Sequence, residues 1–322
     1  MKNALSLFGY FLLFVAMTLG VQAAESRSSK LNQGAVGLLA SQPDLIDDAL
    51  LIADALDHTK GLRILPVVGR GGLQSINDLL FLRGIDVAMI ASDSLAFVKK
   101  NKLYTTEADK ISYLAKLANV NVIIVARKEF ANLESLEGKR VATGRVDSDE
   151  FVAADLIFGS FGVNYDRVSA SGKKAIAALE EGLLDAAIFT GADAYPMLAS
   201  IKSSGKFHIL QISVAEDLAD AFSPAILSGA DLPNLIPEGE FVETVASALV
   251  LAVFDWPDRS ERFYKLNKFN AALFENYLNA LAEEQRTNFL AAVPGWKPYL
   301  TAKAQNAAET PETETEILTK LQ

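Results

Sequence analysis

The chain has 322 residues, 50% of them hydrophobic and 22% charged, enough to bury a large core and to build two lobes. It has no cysteine, which excludes disulfides, zinc–thiolate sites, thiol catalysis and attachment through a lipoprotein cysteine. A formal net charge of −10 and a pI near 4.9 argue against nucleic acid, whose recognition needs basic surface, but leave room for an anionic ligand held by local donors.

Residues 1–23 read as a cleavable export signal. Met1-Lys2-Asn3 is basic, 4–21 is nearly all apolar, and Val21-Gln22-Ala23 supplies the small-x-small cleavage pattern before Ala24. The run is also about long enough to be a membrane anchor, but its place at the N-terminus and its small closing residues favour cleavage. A periplasmic location is therefore expected.

A strand is expected over 35–40 and a helix over 43–56, with Leu45, Ala49, Ile52, Ala53 and Leu56 on one face and Ser41 as its cap. A buried strand over 62–68 then leads through Gly69-Arg70-Gly71-Gly72 into a helix over 73–82. The strand 86–90 follows and runs into Ala91-Ser92-Asp93. This order belongs to an α/β sheet, where ligands sit at strand carboxyl ends beside helix N-termini.

The apolar tracts 111–117 and 120–126 are broken at Asn119-Val120-Asn121. A short helix, a Gly138 turn and a strand fill 133–142, and a polar loop spans 143–149. Helices follow at 150–161 and at 173–181, the second ended by Gly182, with strands at 184–189 and 207–212. From 240 the pattern reads as long and helical, over 241–253 and 259–281. The Ala-, Glu- and Thr-rich stretch 301–322 reads as a mobile tail with a frayed helix over 314–321.

The alternation predicts two α/β lobes with chain crossings near 119–121 and 211–214. Lobe I is then 24–119 plus 214–300, with C-terminal helices, and lobe II is 120–213. A cleft between hinged lobes is the default place for a small solute.

The run 62–93, with Gly69-Arg70-Gly71, Ser75-Ile76-Asn77-Asp78-Leu79, Leu82-Arg83-Gly84-Ile85-Asp86 and Ser92-Asp93, resembles the solute receptors of TRAP transporters in their TAXI branch. Leu136-Glu137-Gly138-Lys139-Arg140-Val141, Pro233-Asn234-Leu235-Ile236, Glu243-Thr244-Val245-Ala246, Trp256, Arg262-Phe263-Tyr264 and Pro294-Gly295-Trp296 extend the resemblance to nearly all of 34–296. It implies an α/β, two-lobed periplasmic-binding-protein fold of the second type with a helical C-terminal extension. It also implies delivery of an organic solute to a sodium-coupled TRAP-type permease. A non-transport role on the same scaffold, such as a ligand sensor for a membrane histidine kinase, is the alternative.

The chain departs from that family at its loops. Gly71-Gly72 stands where the family commonly has Gly-Ser, Ser75 where it has Asn, and Ala91 where it has a polar residue. Ser41-Gln42-Pro43-Asp44 replaces a Gly-rich turn containing Tyr, and Asp147-Ser148-Asp149-Glu150 replaces a Gly-Ser-Gly-Thr helix start. Acids at a helix N-terminus compete with an anionic ligand for its N–H groups. Either Asp147 or Asp149 caps that helix for about 1 kcal/mol, or the acids face the cleft and select an amine-bearing, neutral or metal-bound solute. A site that has decayed or been repurposed for protein contact is a third reading.

Arg70 and Arg145 pull toward a carboxylate, or are solvated loop arginines, one of them paired with Asp147. A zwitterion such as an amino acid would satisfy both signs. The expected ligand-binding set is Arg70, Gly71, Gly72, Ser75, Ser92, Asp93, Arg145, Asp147, Ser148, Asp149, Thr190 and Gly191, with no metal and no cofactor. Catalysis has little support. His58 and His208 lie far apart, and no Gly-x-Ser-x-Gly elbow, zinc helix or phosphate loop occurs.

Overall fold

Strands whose alternate residues serve cores on opposite faces of a sheet organise this molecule, a computed structural model that describes residues 35–202 and 204–299. The expected export signal and tail lie outside the described residues.

The described residues open with β1 (Ala35–Ala40), a 3₁₀ turn (Pro43–Leu45) and α1 (Ile46–Leu56). Next come β2 (Arg63–Val68), α2 (Gly72–Phe81), β3 (Val87–Ala91), α3 (Ser92–Lys100) and the short α4 (Thr105–Ala108). β4 (Ile111–Arg127) is 17 residues long. After it come β5 (Arg140–Ala142), α5 (Asp149–Ser160), β6 (Asp166–Val168), α6 (Gly172–Glu180), β7 (Ala186–Phe189), α7 (Ala194–Leu198) and β8 (Phe207–Ile209). β9 (Ser223–Ser228) and β10 (Phe241–Phe254) precede α8 (Glu261–Ala272), which passes through a π turn (Leu273–Tyr277) into α9 (Leu278–Ala280). α10 (Glu283–Phe289) and β11 (Lys297–Pro298) follow.

One sheet has the order β2-β1-β3-β10-β4, with β10 antiparallel to both its neighbours. The other continues from β4 through β7 and β5 to β6, and carries β8 on β4. Period-2 alternation gives each sheet two apolar faces. In β3, Val87 and Met89 enter one cluster with α1 and α8, while Ala88 and Ile90 enter another with α2 and α3. In β4, Val122, Ile124 and Ala126 face α5, while Ile123 and Val125 face α6. The chain is thus an α/β, two-lobed periplasmic-binding-protein fold of the second type, with its C-terminal helices packed on the first lobe through Leu266, Phe269 and Phe289.

Several expectations need correction. Residues 241–253 are not helical but form the central strand β10. Their apolar run is buried on both faces, and such a run carries no periodicity that separates strand from helix. The 119–121 segment does not break the preceding tract, because β4 runs through it. β2 is an edge strand with Val67 and Val68 exposed, not a buried one, in keeping with Pro66 in its middle. Ser41 does not cap α1; its carbonyl accepts from the Gly71 N–H at 2.7 Å.

The expected lobe II limit at 213 does not fit the packing either. β9 pairs with residues 241–246 of β10, and Leu227, Leu232 and Ile236 pack with Ile123 and Val125. Residues 223–242 therefore sit with the second lobe, and the chain returns inside β10. There Ser247 is opposite Val120 and Ala248 opposite Asn119.

Candidate functional site

Two helix N-termini meet between the lobes. Gly71, just before α2, has φ +123, a conformation that favours glycine. A Cβ there would lie 2.6 Å from the Asp147 carbonyl oxygen of lobe II. Opposite, Ser148 is the N-cap of α5, and its hydroxyl accepts from the Phe151 N–H at 3.3 Å. That leaves Asp149, the first helical residue, to reach across. Its Oδ1 accepts from the Gly72 N–H at 3.0 Å and its Oδ2 from the Gln42 side-chain amide. The carboxylate thus sits where the N–H groups and partial positive charge of α2 would receive an anion.

Other contacts close the same seam. The Arg145 guanidinium donates to the Arg70 carbonyl oxygen at 2.7 Å. Phe97 of α3 meets Phe151 of α5 edge-on, ring centres 5.9 Å apart, and belongs to the α5 core cluster. Asp93, 1% exposed, is buried close to Asp149, and its Oδ1 has no hydrogen-bond partner. Burial pushes the Asp149 carboxyl up to about 6, against the pull of the Gly72 N–H. Burial, and then the Asp149 charge, hold Asp93 well above the ordinary carboxylate range.

Behind this seam lies a cavity of about 280 Å³. Gln42, Asp44 and Asp48 line it from lobe I; Asn119 and Asn121 of β4 form its floor; Asp149, Asp193 and Tyr195 line it from lobe II. The Asn121 amide donates to the Tyr195 hydroxyl at 2.7 Å. Burial, then the carboxylates of Asp193 and Asp48, raise the Asp44 pKa. A second cavity of about 360 Å³ at the mouth holds Arg70, Arg145, Ser148, Glu150 and Ser171, and shares Gln42 and Asp149 with the first.

The residues expected to hold a ligand divide into groups. Gly71, Gly72, Asp147, Ser148 and Asp149 come together at the seam, joined by Arg70 and Arg145 at the mouth. Neither Asp147 nor Asp149 caps α5; Ser148 does. Ser75 is fully buried and donates to the Gly71 carbonyl at 2.8 Å. The Ser92 hydroxyl donates to the Ala221 carbonyl and accepts from the Ala248 N–H, so it ties α3 to β10. Gly191 lines the inner cavity, and Thr190 beside it has a buried hydroxyl with no partner.

Sequence reasoning missed Gln42, Asp44, Asp48, Asn121, Asp193 and Tyr195. Two polar residues inside an apolar strand, Asn119 and Asn121, were the available signal. Nothing local ties Asp193 to the turn of α1.

No protein-family profile matches the chain. Among curated proteins, the cytoplasmic leucine–tRNA ligase of Neurospora crassa is 36% identical over 96 residues, which is 27% of this chain and 8% of the ligase. The chain spans less than a tenth of that relative's length. Among solved structures, XAC2383 of Xanthomonas citri bound to ATP is similar with TM-score 0.49 and 10% identity, covering 86% of this chain and 95% of that one. The periplasmic aliphatic sulphonate binding protein SsuA of Escherichia coli gives 0.43 and 14%, over 85% and 76%. The periplasmic VFT2 domain of BvgS from Bordetella pertussis gives 0.44 and 16%, over 82% and 95%. The fold assignment rests on the strand order, not on these overlaps. By strand order the molecule has the two-lobed fold described above, with a cavity between its lobes.

Proposed function

We propose that this chain is a periplasmic solute receptor that closes its two lobes on a small organic solute and delivers it to a TRAP-type membrane permease. The observation that carries this reading is the cavity of about 280 Å³ between the lobes, floored by β4 and walled by both lobes. Volumes near this size suit small organic ligands. The adjacent crossing strands β4 and β10 supply a natural hinge, because a bend at 119–121 and at 246–248 moves one lobe against the other. Among the described residues no helix is long and apolar enough to cross a membrane. The basic, apolar and small-residue order of 1–23 supports export.

A thermal-shift screen tests the receptor reading. A true solute at 100 times its Kd stabilises the folded chain by about 2.7 kcal/mol. A screen of organic acids, amino acids, amines and osmolytes in which none moves the Tm would overturn it. N-terminal sequencing of the exported protein tests location, with Ala24 the expected first residue. Co-purification with a permease encoded beside it tests the transport role against a sensing one.

A further inference from the structure

The anion position of the cleft is already taken. The α2 N-terminus, where a ligand carboxylate would bind, holds the Asp149 carboxylate, which is 7% exposed and fixed by the Gly72 N–H and by Gln42. Gly72 is shaped for this guest, since a Cβ there would stand 2.8 Å from Asp149 Oδ1 and collide with the Ser94 hydroxyl. The two arginines that could hold another anion do not line the inner cavity. They are exposed at the mouth, where Arg145 is engaged with the Arg70 backbone.

What lines the inner cavity is four carboxylates, Asp44, Asp48, Asp149 and Asp193, and no lysine or arginine among the described residues. Beside Asp149, the fully buried Asp93 keeps an oxygen without any partner. Asp149 is buried, while Asp44, Asp48 and Asp193 keep contact with water. Carboxylates held near one another without a cation repel, and a guest of opposite charge relieves this. Among the described residues no three of His, Asp or Glu stand close enough to hold a metal ion. The acids are therefore spread over the cavity wall, which suits an extended organic cation better than a point charge. Tyr195 and Asn121 add a polar floor.

Resting on the receptor reading above, we infer that the inner cavity takes an organic cation, of the class of primary amines and short diamines. Asp149 is the residue that sets this choice, by supplying the anion that α2 would otherwise take from a carboxylate solute.

The test is titration calorimetry of the full chain at pH 7.5 with 1,4-diaminobutane and with succinate. Salt at 0.15 M screens diffuse attraction to a chain of net charge −10. The wild type is expected to bind the diamine and not succinate. Asp149→Asn should weaken the diamine at least about tenfold and let succinate bind, since the negative charge that attracts the one and repels the other is gone. Should Asp149→Asn fail to fold, Asp48→Asn and Asp193→Asn decide, each at an exposed position. Each should weaken the diamine by about fivefold, the size of a partly screened ion pair. Succinate binding to the wild type without diamine binding overturns this inference and leaves the receptor reading standing, as does a diamine affinity that none of the three variants alters. If no solute of any class binds, the receptor reading itself falls.

Discussion

Asp149 carries most of the chemistry at the residue scale. Its carboxyl is held near 6 against an ordinary value of 3.8, chiefly by burial. A carboxyl raised on folding stabilises the folded state below its unfolded pKa, and that contribution is lost as pH rises through the folded one. Stability should therefore fall between about pH 4 and pH 6, with Asp93 pushing in the same direction. Urea unfolding of the wild type and Asp149→Asn across pH 4–8 checks this. The variant, which has no carboxyl to ionise there, should show the shallower decline, and equal slopes would contradict the account. The same titration governs the guest, because a neutral Asp149 offers no counter-charge. Diamine affinity should rise as pH passes upward through about 6. Gly72 is the second lever: Gly72→Ala should lower stability by about 1–3 kcal/mol, since the added methyl must displace Asp149 or Ser94. An unchanged Tm would show that the seam has slack.

At the scale of elements, legibility followed locality. The β1–α1–β2–α2–β3 run was readable because its strands and helices alternate with glycine and proline punctuation, and those signals are local. β10 was not. Its 14 residues serve both lobes, are apolar on both faces and exceed the length of an ordinary strand, so length favoured a helix. Misreading β10 also misplaced the chain's return and left β9 unseen. At the site, the glycines and acids of the two loops were legible as unusual residues, but their facing one another was not, since 77 residues separate Gly72 from Asp149. The acidic lining from Asp44, Asp48 and Asp193 depends on a tertiary approach that no spacing encodes.

One long-range tie makes an element-scale prediction. Asp86, 1% exposed, accepts from the Gly37 N–H at 3.1 Å and from Lys265 Nζ at 2.7 Å, so it anchors α8 against β1. Asp86→Ala leaves the Gly37 amide unpaired and Lys265 with the Ala35 carbonyl in place of its counter-charge, and should cost about 3 kcal/mol in urea unfolding. A loss under 1 kcal/mol would mean that α8 is held by apolar packing alone.

The whole molecule is two lobes joined by two antiparallel strands and, away from them, by the seam of α2, α3 and α5. The seam is built from the chain's own groups, so on the proposed receptor reading solute and Asp149 both act on the balance between open and closed forms. A ligand shifts that balance only as far as it binds the closed form better. The absence of cysteine makes this measurable, because a pair introduced as Leu51→Cys on lobe I and Leu183→Cys on lobe II can be spin-labelled without competing sites. The most direct measurement is the distribution of distances between these labels, recorded without solute and with each compound that raises the Tm. The account predicts one narrow, short-distance population with such a compound, and a broader, longer distribution for the free Asp149→Asn chain. A compound that raises the Tm while the distances stay the same in every sample would contradict capture between the lobes.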